Sequence, residues 1–277
     1  MKRIFLILTA ILLLFSNTRE NNINHNLSAK TNEDKISNYT KIITEAENNL
    51  TAAEIIRKTD DIMQGKSSRI DMTMSIVRPK YTRSISLKCW SLEKEYFMAY
   101  VMAPVREKGQ VVMKYNNEMW QYTPSINRTI KLPISMMSQG FMGSDYSNDD
   151  LVHESSIIKD YTSTIKGSEK IDDRDCFKIN MKPKPESNIV WGNVIFWIDK
   201  KYFIVLKAEY YDEENYLVRT MYGKEIKYFS DRFLTSVMET IPSDEPDNKT
   251  VVTIEKAQFN IGIKKEIFSL QNMKRIR

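Results

Sequence analysis

KLPISMMSQGFMGSDYSNDDLV, residues 131–152, sets Ile134, Met136, Met137, Phe141 and Met142 within nine positions, yet Pro133, Gly140, Gly143 and an acidic tail deny it the length of a core helix. Ser147 to Asp150 reads as the start of a short helix behind it. Methionine is unbranched and polarizable, so a Met-rich surface repacks around ligands of differing shape, as an aliphatic core does not. The stretch reads as a soft apolar lid. A short helix buried in the end of a barrel is the alternative that residue types alone leave equally open.

The flanks give the lid something to cover. From Ser68 the apolar period is two: Ile70, Met72, Met74 and Ile76 alternate with polar neighbours, and Ile85, Leu87 and Cys89 repeat the pattern after an Arg78-Pro79-Lys80 turn. Short strands are expected at 96–102, 111–115, 118–122 and 126–130. Beyond the lid they are expected at 161–165, 176–181, 190–198, 202–211, 216–221, 226–229, 233–238 and 251–254. Short polar turns favour an antiparallel meander. A dozen or so strands must curl into a barrel or split into a sandwich. The expected fold class is therefore mainly β, an incomplete antiparallel β-barrel with helices against its mouth and the lid over its concave face.

Upstream, Thr51 and Glu54 form a capping box, with Leu50 and Ile55 placed as a hydrophobic staple. Ala52, Ile55, Ile56, Thr59, Ile62 and Met63 follow a helical rhythm that Gly65 ends, while Arg57, Lys58, Asp60 and Asp61 take the polar face. Residues 17–50 hold nine asparagines and one aromatic, Tyr39. Such a segment cannot bury enough surface to offset its ordering entropy, and it reads as a flexible spacer. Residues 1–16, with Lys2 and Arg3 before the apolar run Ile4 to Phe15, read as a cleaved export signal; an uncleaved membrane tether is the minority reading. The domain proper is then 51–277, outside the cytoplasm.

The chain of 277 residues is 42% hydrophobic and 10% aromatic, ample for a sizeable core. Its formal charge of +5 falls to about +3 without Lys2 and Arg3 and forms no basic block, so nucleic acid is not an expected partner. His25 lies in the spacer and His153 stands alone beside Glu154, so neither a zinc site nor a catalytic triad assembles, and no metal or cofactor is expected. Asp145 to Asp150 lacks the glycine and the final glutamate of a calcium loop and reads as solvated acid at a helix start. Cys89 and Cys176 both fall on strands; an exported chain permits a disulfide, but a meander does not require those strands to be neighbours, and the pairing stays open. No nucleophile has a visible base, so an enzyme is not expected.

Trp90, then Tyr96 to Pro104 (YFMAYVMAP) and Asn116 to Pro124 (NNEMWQYTP), with the longer run from Glu107 to Leu151, resemble the LolA-like outer-membrane lipoprotein-sorting protein family. The resemblance extends from about Leu50 to Phe268. It implies a half-closed antiparallel barrel lined with apolar side chains, resident in the periplasm, that accepts the acyl chains of lipoproteins or free lipids. It also implies an outer-membrane acceptor and, for some relatives, an inner-membrane transporter as partners, with a monomeric carrier between them. On this reading Met72, Met74, Ile85, Leu87 and Val101 form the cavity wall, Trp120 sits near the rim, and Ile134, Met136, Met137, Phe141 and Met142 form the cover. A non-transporting envelope sensor or docking module of the same fold is the alternative. The family's lid-latching arginine follows the strand tryptophan. Here Trp90 is followed by Ser91-Leu92-Glu93-Lys94, which leaves Arg83 and Arg128 as the candidates for that role.

Overall fold

The computed structural model describes residues 50–276 apart from 117, 154–156 and 188. The expected leader and, apart from Leu50, the expected spacer lie outside the described residues. Thr51 accepts the backbone N–H of Glu54, and the Glu54 carboxylate accepts that of Thr51, so the capping box opens helix α1, Ala52–Met63. Gly65, at φ +62°, turns the chain out of it. Asp60, expected on the polar face, is buried and ion-paired with Lys94.

Thirteen strands follow, in one sheet. They are β1 Ser67–Arg78, β2 Tyr81–Leu92, β3 Tyr96–Ala103, β4 Val111–Tyr115, β5 Glu118–Thr123, β6 Arg128–Lys131, β7 Tyr161–Ile171, β8 Arg174–Pro183, β9 Asn193–Asp199, β10 Val205–Tyr211, β11 Leu217–Phe229, β12 Arg232–Pro242 and β13 Lys249–Phe259. Their order is β6-β5-β4-β3-β2-β1-β13-β12-β11-β10-β9-β8-β7, and each β1 pairing, to β2 and to β13, is antiparallel. The sheet does not close, because β6 and β7 are its two ends. It is nonetheless strongly curled: Phe97 of β3 and Phe196 of β9 line the same cavity from distant positions in the strand order.

Two strand expectations change. The stretch 126–130 is not one strand: Pro124–Ile126 forms a 3-10 turn, Asn127 takes a left-handed φ of 48°, and pairing starts only at Arg128. Conversely, 216–221 and 226–229 are a single strand, β11. Buried Gly223 carries it through where a Cβ would lie 2.4 Å from the Val205 carbonyl oxygen.

The chain between β6 and β7 therefore runs from one free edge of the sheet to the other, and this connection contains the lid. It consists of 3-10 turns at Ile134–Met136 and Phe141–Gly143, helix α2 at Asn148–His153 and helix α3 at Ile157–Asp160. Helix α4, Leu270–Met273, packs against β4 near the C-terminus. Strands β2 to β5 thus have two covered faces. Ile85, Leu87, Ala99, Val101, Val112 and Met119 turn toward Phe141 of the lid. Tyr96, Met98, Tyr100, Val111, Met113 and Tyr122 turn toward Phe268 and Met273. The period of two sorts these sets, and both are buried.

Candidate functional site

A cavity of about 310 Å³ opens beneath the lid, at the lower end of the range for small-molecule sites. Met72 and Met74 of β1, Leu87 of β2, Phe97 of β3, Phe196 of β9 and Val252 of β13 line it, with Phe141 above. A second hollow of about 200 Å³ shares Met63, Met72, Cys89, Phe97 and Met238 with it. The interior of the curled sheet is therefore not filled by its own side chains.

The expected site residues separate into four groups. Met72, Met74, Leu87 and Phe141 line the cavity. Ile85 and Val101, with no measurable exposure, form the packed layer beside it, and Met137 and Met142 pack partly against that layer. Met136 is half-buried and touches the lid's own helix, its carbonyl accepting the Asn148 side-chain amide at 2.9 Å. Ile134 and Trp120 are corrections. Ile134 is 90% exposed, because Pro133 starts a 3-10 turn that points it away from the sheet. Trp120 lies on the face covered by the C-terminal segment, since its neighbour Met119 takes the lid side and alternation sends the next residue across.

Three arginines tie the lid to the sheet. Arg83 of β2 donates to the Met142 carbonyl at 2.7 Å while paired with Glu107. Arg78 of β1 pairs with Asp145 at 2.9 Å and donates to the Gly143 carbonyl at 3.3 Å. Arg219 of β11 holds Asp150 through both terminal nitrogens, at 2.7 and 3.0 Å, and donates to the Asp145 carbonyl at 3.1 Å. Arg128, the other latch candidate, is exposed on β6. The acidic run 145–150 is accordingly not solvated. Asp150 and Ser147 do cap α2 reciprocally, as its sequence foretells, but the same carboxylate is buried against Arg219.

The guanidinium of Arg219 also lies 4.6 Å from the Trp191 ring centroid and 4.4 Å from that of Tyr210. Burial alone would raise the Asp150 pKa; the Arg219 charge and hydrogen bonds outweigh it and hold the carboxyl below its usual range. The lid backbone is constrained as well. Met142 adopts a left-handed φ of 51°, and a Cβ on Gly140 would lie 2.5 Å from the Ser144 carbonyl oxygen. Tight turn geometry thus accounts for the lid glycines.

Sequence reasoning missed Arg78, Arg219 and the aromatic residues around the latter. The only signal was an arginine inside an otherwise apolar strand, in the run YLVRTMY, residues 216–222. Cys89 and Cys176 are separate, buried thiols, in the lid-side cluster and in a cluster around Trp197 respectively. Burial, ahead of neighbouring acid, pushes them up to about 12 and about 11, which disfavours the thiolate. Among the described residues no group of three or more His, Cys, Asp or Glu could hold a metal ion, and no helix is long and apolar enough to cross a membrane.

Solved structures share this architecture. An outer membrane lipoprotein-sorting protein domain from Vibrio parahaemolyticus aligns with a TM-score of 0.71 and 21% identity, covering 81% of this chain and 98% of that one. A DUF1329 family protein from Desulfovibrio piger gives a TM-score of 0.72 at 21% identity over 80% and 97%. A LolA superfamily protein from Nitrosomonas europaea gives 0.67 at 19% identity over 80% and 99%. At those identities the likeness is one of fold. A family model described as "-like: Uncharacterized protein" matches residues 93–275, more than half of the chain. The chain belongs to the family of that model, and its fold is that of the LolA-like lipoprotein-sorting structures. Comparison with curated proteins finds no match. The LolA-like sheet, open between β6 and β7, leaves its lid as the bridge between the two ends.

Proposed function

We propose that this LolA-like chain is a periplasmic, non-enzymatic carrier that takes acyl chains of lipoproteins or lipids into the cavity beneath Phe141 and delivers them toward the outer membrane. The observation that carries the reading is the unfilled apolar hollow under a lid held largely by hydrogen bonds. Each buried methylene is worth roughly 0.8 kcal/mol, so a long acyl chain enclosed only in part still binds by several kcal/mol. Release requires the lid to move. The hydrogen bonds of Arg78 and Arg83 to lid carbonyls contribute on the order of 1–3 kcal/mol each, small enough to be made and broken in a transfer cycle.

The direct test of carriage is transfer. Protein loaded with a fluorescent acyl lipid should pass it to acceptor vesicles at a rate that rises with protein concentration and exceeds spontaneous lipid exchange. Binding without transfer would favour the sensor or docking-module reading over the carrier.

A further inference from the structure

The cavity wall has two chemically different patches. Met72, Met74, Leu87 and Val252 form a hydrocarbon patch from paired strands. Tyr161, Trp191, Tyr210 and Arg219 form the other. Arg219 is 7% exposed, and its charge is balanced by the two-point contact with Asp150. Its Nε–H nevertheless has no acceptor among the described residues. The Tyr161 hydroxyl lies in the same patch, close enough to Tyr210, Asp150 and Arg219 to feel their charges. A buried polar group left without a partner is costly, so a largely apolar cavity that retains one, with the Tyr161 hydroxyl beside it, is adapted to a molecule that supplies the missing contact.

The sign of the charge narrows that molecule. A carboxylate or phosphate entering beside Arg219 would meet Asp150, which already occupies both terminal nitrogens, and two like charges would share a site away from water. An ester or hydroxyl oxygen meets no such penalty and can use both the Nε–H and the Tyr161 hydroxyl. We infer that Tyr161 and Arg219 form a head-group subsite for the uncharged ester or hydroxyl of an acylated glycerol, and that this subsite discriminates against anionic heads on the same acyl chain.

This inference rests on the carrier reading, and the experiment separates the two. Delipidated full-length protein is loaded with a fluorescent acyl probe, which is displaced by monopalmitoylglycerol or by palmitate at mildly alkaline pH. The neutral glyceride should displace at about tenfold lower concentration. Tyr161→Phe, which removes one hydroxyl and leaves the ring, should cut that advantage by about threefold or more, read as the ratio of the two displacing concentrations measured against the same probe. Equal displacement by the two ligands, or an unchanged ratio in Tyr161→Phe, would overturn the subsite and leave carriage standing. Failure of the probe and of both ligands to bind would overturn carriage and the subsite together.

Discussion

Replacing Phe141 with aspartate is expected to weaken acyl-probe binding by about tenfold or more while the sheet stays folded. Phe141 is 6% exposed and belongs both to the lid-side core and to the cavity wall. An aromatic side chain buries roughly 150–250 Å². If about a third of that area faces the ligand, at about 25 cal/mol per Å² the lost contact is worth about 1–2 kcal/mol, or roughly tenfold in affinity. The charge adds to this loss, because an ionised carboxylate does not stay in an apolar pocket without a partner and the segment swings out instead. The sheet tolerates the change: β3 to β5, with Trp90 of β2, retain their opposite face packed against Phe268 and Met273. Probe titration together with circular dichroism checks both halves. Undiminished affinity would remove the lid from the binding account, and loss of the β spectrum would make Phe141 a residue of the fold first.

The largest stability effect is expected at Arg219. Its side chain is 8% exposed and that of Asp150 is 13% exposed, so Arg219→Leu leaves a buried carboxylate without its counterion. Breaking a buried pair from one side costs about 3–5 kcal/mol. For a domain of this size that lowers Tm by about 10 °C. The double variant Arg219→Leu with Asp150→Leu should recover much of the loss, since two apolar residues can replace a buried pair at little cost. A single variant within about a degree of the parent would show that the pair does not hold the lid. The same pair sets a pH response. The folded-state pKa of Asp150 is below its ordinary 3.8, so its contribution is complete above that value and disappears as pH falls through the lowered one. Fluorescence of Trp191, stacked on Arg219, should therefore stay constant down to about pH 4 and change only in stronger acid.

The fold was legible because the sheet is built from residues whose alternation survives in the sequence. Met72, Met74, Ile85 and Leu87 announce a lid-side face whatever the register. The helix boundary at Thr51 is written in one capping box. Trp120 went astray because strands packed on both faces carry large apolar residues at every position, and composition alone does not say which parity faces inward. Ile134 went astray for a different reason: in a chain of 3-10 turns no period links an apolar residue to a face. The ties of the lid were the least legible part. Arg78, Arg83 and Arg219 lie 67, 59 and 69 residues from the lid groups they hold, Asp145, the Met142 carbonyl and Asp150. Only the curling of the sheet brings β11 beneath α2, and local sequence carries no trace of such a pairing.

The central claim is that the hollow beneath Phe141 takes hydrocarbon from the cell envelope. Native mass spectrometry of the protein, purified without detergent from its own envelope, measures this most directly. The account predicts a bound acyl lipid at near one per chain, released on denaturation. A protein that emerges uniformly at its polypeptide mass, and remains so after incubation with excess acylglycerol, would contradict it.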